Sequence, residues 1–536
     1  MARTRLMSGL VGELSRARSL LDESSLQSRA ISRRAALALA LAAAACTPDA
    51  PAANTGNPDG DPQAVAVIGG GTSGLVTAWR LAIAGVKVEV FESSGRTGGR
   101  MYTLRDFTPE GQFCELGGEF VSSIDDALIR VCGELGVQLQ PFASEGEGGA
   151  PLFDFVGKAM TPRDLLDPAA QAGPFFPVAA RIAADQSALL DQAGAWTARA
   201  KELDELPLSK YLESLSNSTE RWVIDLLALA WHSEFGIPVS RQSSLNLVDL
   251  IGTDTSQDFA MFGRHDGALR IANGSSSLPE ALTTRLSSPP LFDKVEIHLR
   301  HQLSAISRTR DGLKLKFRSE DGSLIDRTFA RVVMALPFSR LREVSGLGGL
   351  ALPADKMMVI NELGYGANAK LMVGTDARPW RQGMAGLDGP LNGTVYTDRG
   401  FQLVWETSTG QPGAGGILTN YLAGDAARGE EAQALARLQA GLTALSPDVS
   451  RSLTPKVRAS LFWPSHAHTR GSYAGCLTGQ YTRYPEIAAR PELDGMLVFA
   501  GEHTSLNAMG SMNGAVDAGE RAAKDVLANP VKASAA

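Results

Sequence analysis

Gly69, Gly71 and Gly74 stand in a G-x-G-x-x-G spacing, and Glu92 follows Gly74 by eighteen residues. Such a set can hold a dinucleotide. Gly69 permits a tight turn, Gly71 lets the backbone approach a pyrophosphate, and Gly74 lets a helix pack closely on a strand. The helix start offers free N–H groups and a positive dipole end to the phosphates, and Ser73 can donate one more hydrogen bond. The Glu92 carboxylate accepts from ribose hydroxyls, and its charge would repel the 2′-phosphate of NADP. A plain glycine turn is the alternative wherever G-x-G-x-x-G stands alone.

The flanking elements decide between the two. Ala64-Val-Ala-Val-Ile68 is an apolar run that predicts a strand buried on both faces. Leu75 to Ala84 is helix-compatible and Gly85 closes it, and Val86-Lys-Val-Glu-Val-Phe91 predicts a second strand ending at Glu92. Strand, glycine turn, helix, strand and acid in that order make a dinucleotide-binding unit.

The segments that follow resemble the flavin amine oxidase superfamily. Glu92-Ser-Ser-Gly-Arg96-Thr-Gly98-Gly99-Arg100 is similar to its E-x-x-x-R-x-G-G-R signature. Cys114-Glu-Leu-Gly117-Gly118-Glu119-Phe120 looks like its next segment, and Leu497-Val-Phe-Ala-Gly501-Glu502-His503-Thr504 like its C-terminal FAD motif, followed by Gly510-Ser-Met512-Asn-Gly514-Ala515 opening a helix to about Leu527. Val295 to Ile306 and Arg331-Val-Val-Met-Ala-Leu-Pro337 resemble the family's third FAD-domain piece. The resemblance covers most of residues 64–530. It implies FAD, with Arg100 facing the pyrophosphate, backbone at Gly118 along the isoalloxazine, Leu303 on the adenine side, Glu502 near the ribityl-pyrophosphate and Met512 at the pyrimidine end. The expected fold is α/β: a discontinuous Rossmann-like, doubly wound FAD domain plus an α+β substrate domain with a mixed sheet and helices.

In the amine-oxidising branch a lysine holds a water at flavin N5, and Gly366-Ala-Asn-Ala-Lys370-Leu-Met-Val373 looks like that segment. Lys370 is the catalytic candidate. An ammonium in an apolar strand is costly unless paired, and an edge-strand lysine facing solvent is the alternative. Trp463, in a segment resembling the family's W…G-S-Y, is expected beside the flavin. Cys476 lies in a Gly-Cys context like that of the flavin-linked cysteine of animal monoamine oxidases; non-covalent FAD is expected, with a link through Cys476 or a small buried thiol as the other readings. Leu477 and Ser511 stand where those enzymes have caging tyrosines. Venom-type L-amino-acid oxidases carry an arginine in the segment matching Glu115 to Phe120, whereas this chain has Glu119, suited to a cationic amine or to hydrogen bonding near the flavin. Trp231-His-Ser-Glu-Phe-Gly236 and Val404-Trp-Glu-Thr-Ser408 look more like bacterial L-amino-acid oxidase relatives. The expected substrate is therefore an amine or an L-amino acid, oxidised by hydride transfer to flavin N5, with oxygen or an envelope electron carrier as final acceptor. The alternatives are a desaturase-like or porphyrinogen-oxidase-like enzyme and a non-catalytic FAD-stabilised binding protein.

Other chemistry is thinly represented. The four cysteines include no CxxC pair, and His466-x-His468 alone makes no metal site. These histidines are expected to face solvent from a loop. Cys114 and Cys132 are expected as reduced buried thiols, with a single bridge as the alternative. Net charge is −7, without a Lys/Arg-rich run after residue 100, so nucleic acid is not an expected partner.

Residues 1–34 carry seven arginines, ending in Ser32-Arg33-Arg34, and Ala35 to Cys46 is apolar. Basic pair, short apolar run and small-residue junction predict an export signal over 1–46 of twin-arginine type, with Cys46 a possible lipidated residue and the periplasm or cell envelope as destination. Residues 47–63, with four prolines and two glycines, predict a disordered linker. The FAD domain is expected over 64–145, 268–345 and 460–530, and the substrate domain over 146–267 and 346–459. Helical spacing marks Val178 to Leu203 and Glu220 to Ala230, and Ile417 to Leu422 reads as a strand of a sheet roofing the pocket.

Overall fold

Val65-Ala-Val-Ile68 is apolar at every position, and in the computed structural model it is the central strand of a five-stranded sheet. The order is Leu497–Phe499, Arg331–Met334, Val65–Ile68, Val88–Phe91, Val295–His298, every pair parallel. The structure describes residues 64–143, 148–384, 387 and 389–529; the expected export signal, Cys46 and the linker lie outside them. Among the described residues no helix is long and apolar enough to cross a membrane.

The helix after the glycines runs Thr72–Ile83, three residues earlier than the apolar pattern suggests, and Gly85 ends it at a φ of 86°. The C-terminal helix Met512–Ala528 crosses it where Thr77 Oγ1 donates to the Gly519 carbonyl at 3.0 Å. A Cβ on Gly519 would come within 2.5 Å of the Ser73 carbonyl oxygen, so this close crossing requires glycine. The first and last helices of the described residues thus pack together against the same sheet.

A second, mixed sheet has seven strands: Leu453–Phe462, Asn368–Thr375, Gly416–Ala423, Leu403–Glu406, Leu391–Thr397, Ala150–Phe155 and Lys158–Met160. Only the Leu391–Thr397/Ala150–Phe155 pair is parallel. Helices including Phe176–Ser187, Leu208–Leu215 and Arg221–Phe235 share an apolar core with Tyr396, Leu403 and Trp405 of this sheet. A Rossmann-like parallel sheet with a mixed sheet and helices beside it makes the fold α/β, as expected.

Val178 to Leu203 is not one helical stretch. Helices Phe176–Ser187 and Ala198–Glu205 are separated by a turn in which the Asp191 carboxylate accepts from Ala193 and Ala195 N–H groups and Gly194 has a φ of 81°. An aspartate that binds its own following backbone competes with the helix, and here it holds the turn between the two.

Candidate active site

The glycine turn leaves the sheet at Gly69, whose φ is 111° and whose Cβ would stand 2.9 Å from the Ala335 carbonyl oxygen. A Cβ on Gly74 would reach 2.0 Å from the Gly69 oxygen, so helix and strand touch backbone to backbone there. Gly71 is different: a Cβ on it would meet nothing nearer than Gly99 Cα, at 4.0 Å. Helix Thr72–Ile83 starts at Gly71 without a side-chain cap or an acid in its first turn. Its leading N–H groups are therefore left without a side-chain partner, as an anion-binding helix start requires.

Glu92 Oε2 accepts from Gly70 N–H at 2.8 Å, and Oε1 from Ser94 N–H at 2.7 Å. These bonds fix the carboxylate at the rim of the cradle. Ser93 Oγ lies 2.8 Å from His468 Nδ1. His466 and His468 are half-buried, not solvent-facing: their rings pack 5.6 Å apart, and burial pushes His466 down to about 4. Ser73 Oγ accepts from Gly501 N–H at 2.8 Å and so ties the first motif to the last.

Arg100 donates to Glu502 Oε1 at 2.7 Å and to the Ser472 carbonyl at 2.8 Å. Glu502 Oε2 accepts from Gly510 N–H at 2.9 Å. One carboxylate thereby gathers the Gly99–Arg100 turn and the loop before the last helix. His503 beside it is fully buried and held neutral by burial, its ring against Phe338 at 4.3 Å. Met512 lies over Gly118, where a Cβ would be 2.6 Å from its sulfur. Ser511 caps the last helix, its Oγ accepting from Gly514 N–H and donating to the Ala508 carbonyl. Leu303 borders a cavity of about 430 Å³, whose lining also includes Lys316, Arg318 and Arg340. The uncapped helix start, the open face of Gly71 and the anchored Glu92 fit a dinucleotide laid across the sheet's end.

Lys370 does not sit on an edge. Its strand, Asn368–Thr375, is buried throughout and hydrogen-bonded on both sides. Nζ donates to Glu119 Oε2 and to the Gly117 carbonyl, both at 2.8 Å. Glu119 Oε1 accepts from Trp405 Nε1 at 3.1 Å and from the Thr407 hydroxyl. Both charged side chains are almost wholly buried, at 6% and 4% exposure. A buried ion pair is tolerable only when its remaining lone pairs are satisfied, and Trp405 and Thr407 do this. Trp463 supports the floor: its indole N–H donates to the Leu116 carbonyl at 3.1 Å, under Gly117.

Cys476 is buried and its thiol is pushed up by burial; its sulfur stands 4.0 Å from that of Met509. Cys114 and Cys132 are free and buried, as expected of reduced thiols.

Beyond Lys370 lies an aromatic wall that the motifs do not announce. Tyr421 is directly opposite Lys370 across the strand pair. Its ring is 5.3 Å from that of Trp405, and its hydroxyl is 3.1 Å from that of Tyr473, which donates to the Glu234 carbonyl. Glu234 itself carries a sequence signal: an acid in the last turn of an apolar helix, where the dipole disfavours it.

Residues 72–527 match the family described as flavin containing amine oxidoreductase. The chain is 24% identical over 490 residues to an L-amino acid dehydrogenase of Synechocystis sp., spanning 86% of this chain and 94% of that protein. It is 25% identical over 493 residues to the flavin-containing amine oxidase B of Rattus norvegicus, 86% of each. A putrescine oxidase solved with putrescine bound superposes with a TM-score of 0.69 at 22% identity, over 87% of this chain and 99% of that one; this is a likeness of fold.

Proposed function

The chain belongs to the flavin containing amine oxidoreductases, and from that premise we propose that it oxidises an amine or an L-amino acid with non-covalent FAD. The observation that carries the proposal is the buried Lys370–Glu119 pair over the Gly117 carbonyl. An ammonium has three donors; two are used, and the third is free to hold a water at the floor of the chamber.

The phosphates would lie against Gly71, Gly99 and the uncapped helix start, the ribose against Glu92, and the flavin end between Gly118, Met512 and Trp463. FAD held there would supply the two-electron oxidant for the carbon bearing the amine; the imine so formed would take up water and give an aldehyde or keto acid plus ammonia, with oxygen the expected final acceptor and hydrogen peroxide its product. The protein's part is positional. Lys370 holds the water, Glu119 holds Lys370, and Trp405 with Tyr421 walls the chamber against bulk solvent. Within this proposal the parallel-sheet body (64–145, 268–345 and 460–530) carries the cofactor, and 146–267 with 346–459 carries the substrate. On sequence grounds it also places the protein in the cell envelope, exported through residues 1–46.

The test is anaerobic. The flavoprotein is mixed with a panel of amines and L-amino acids, and the flavin absorbance is followed. Bleaching by one class, reversed by air, is expected. Bleaching that air does not reverse would replace oxygen with a protein electron acceptor. No bleaching by any member would defeat the oxidase proposal, and a protein that takes up no FAD would defeat its premise.

A further inference from the structure

Two glutamates stand at paired positions on one face of the parallel sheet. Glu89, in strand Val88–Phe91, is directly opposite Glu296, in strand Val295–His298. His298 follows Glu296 by two residues and so shares its face. His298 Nε2 lies 3.2 Å from Glu89 Oε2 and 3.7 Å from Glu296 Oε2, and one donor atom of each residue lies within 4.8 Å of the other two. Neighbouring donors around a first-row divalent ion, with bonds of about 2.0–2.2 Å, are about 3.0–3.5 Å apart.

The arrangement is costly without a cation. Like charges directly across a strand pair repel. Among the described residues no lysine or arginine pairs with either carboxylate. Charge on an edge strand has an ordinary use, because it keeps the free edge from pairing with another chain. Val295–His298 is such an edge, and that use accounts for Glu296, whose side chain is 56% exposed. It does not account for Glu89, which is only 9% exposed in the strand beside the edge. A single hydrogen bond between His298 and Glu89 leaves the second glutamate unexplained. A cation shared by all three accounts for each.

The imidazole is also held in place. Its ring stacks on Phe91 at 4.7 Å with 19° between the planes, and Phe91 stacks in turn on Phe317 at 4.2 Å. Glu296 is the exposed member, so it can swing to close the triangle, and water can complete the coordination on its side. One imidazole with two carboxylates suits zinc, and binds manganese more weakly. No motif announces the set, because Glu89 and His298 are 209 residues apart.

We propose that Glu89, Glu296 and His298 form a binding site for a divalent transition-metal ion, zinc foremost, which clips the edge strand to its neighbour. The clip stands apart from the Lys370–Glu119 pair and is independent of the oxidase reading. Backbone joins it to the cradle: Glu92 N–H donates to the His298 carbonyl, and His301 N–H to the Glu92 carbonyl, both at 2.8 Å. The ion thus braces the strand end that carries Glu92.

The experiment uses FAD-loaded protein stripped of metal with a chelator and dialysed against ZnCl2. Bound zinc is measured by elemental analysis, and its Kd by calorimetric titration. One zinc per chain is expected, with the thermal midpoint raised by ~2 °C or more at saturation. Glu296→Gln, at an exposed position, should weaken zinc at least ~10-fold, and His298→Gln should weaken it further. Both variants should lose the zinc-dependent rise in midpoint. His301→Ala should bind zinc as the wild type does; its ring is 5.6 Å from that of His298 and lies outside the set. Sub-stoichiometric zinc in the wild type overturns the proposal. So does zinc bound equally well by Glu296→Gln and His298→Gln, which would put the ion elsewhere on the surface. Zinc lost in His301→Ala as fully as in His298→Gln would overturn the ligand set.

Discussion

In the cradle at the end of the parallel sheet, polar contacts run mainly to backbone: Gly70 N–H to Glu92, Gly501 N–H to Ser73, Gly510 N–H to Glu502. In the candidate substrate chamber, on one face of the mixed sheet in the proposed reading, side chains meet side chains: Lys370 with Glu119, Trp405 and Thr407 with Glu119, Tyr421 with Tyr473. The cradle needs the absence of side chains at a few glycines and is indifferent to most others. The chamber needs particular functional groups that face one another from distant segments. The first design suits a cofactor of fixed shape. The second can be retuned by single substitutions, which is where relatives of one fold can diverge in substrate.

The sharpest way to break this contrast lies in the glycines. Gly74→Ala would put a Cβ 2.0 Å from a backbone oxygen, which no rotamer relieves. A loss of at least ~3 kcal/mol is expected, with little folded, colourless protein in thermal unfolding and absorbance measurements. Gly71→Ala adds a methyl where the nearest atom is 4.0 Å away, at an ordinary φ of −70°. The apoprotein should change by under ~1 kcal/mol, while FAD affinity falls roughly 10- to 100-fold, because that opening is where the phosphates approach. Equal stability losses in both variants would show that the open face of Gly71 is only a packing feature.

In the chamber, Lys370→Met removes one member of a buried pair and leaves the other. A cost of about 3–5 kcal/mol is expected, with FAD retained and anaerobic flavin reduction slowed ~10- to 100-fold through loss of the positioned water. Adding Glu119→Gln should recover much of the stability and none of the rate. Recovery of both would make the pair structural and remove Lys370 from the chemistry.

Legibility follows the same division. The glycine turn, Glu92, the Gly117–Gly118 segment and the Glu502 loop could be read in sequence because each is a short local pattern with a backbone reason. Lys370 was visible as an ammonium in an apolar strand. Its partner was not: Glu119 is 251 residues away, and a pairing at that separation leaves no local trace. The same holds for Tyr473 and Glu234, 239 residues apart. The turn at Asp191 is hidden in the sequence by alanine-rich helical spacing on both sides of a single aspartate. The two histidines looked solvent-facing because nothing local indicates that Ser93 and Trp463 cover them.

Acid titration separates the chamber from its surroundings by a smaller effect. Burial raises Glu234 from an ordinary 4.5 to about 7, and Glu115 likewise, against bonds from Ser275 and Thr103 that pull it down. Between those values the folded protein holds protons that the unfolded chain has lost, so stability falls as pH rises from about 4.5 to about 7 and recovers on acidification within that window. Each group accounts for at most roughly 3 kcal/mol. Glu234→Gln should remove about half of the slope in chemical denaturation across this range. An unchanged slope would place the Glu234 carboxylate in water.

The smallest effect is the most discriminating within the cradle. Read from the motif, Ser73 donates to a phosphate; in the structure its oxygen accepts from Gly501 N–H at 2.8 Å, 428 residues away. These two roles predict different losses in Ser73→Ala. A phosphate donor would cost FAD affinity and leave the apoprotein untouched. If Ser73 is instead a tie between the first and last motifs, its loss would strand a buried N–H, at about 1–3 kcal/mol, and lower the thermal midpoint of the FAD-free protein. The geometry predicts the second outcome, with only a secondary, few-fold loss of FAD through the displaced Gly501–Glu502 turn. Because Glu502 also holds Arg100 and Gly510, slackening at Gly501 reaches both sides of the cradle. A midpoint unchanged without FAD and lowered with it would return Ser73 to the phosphate.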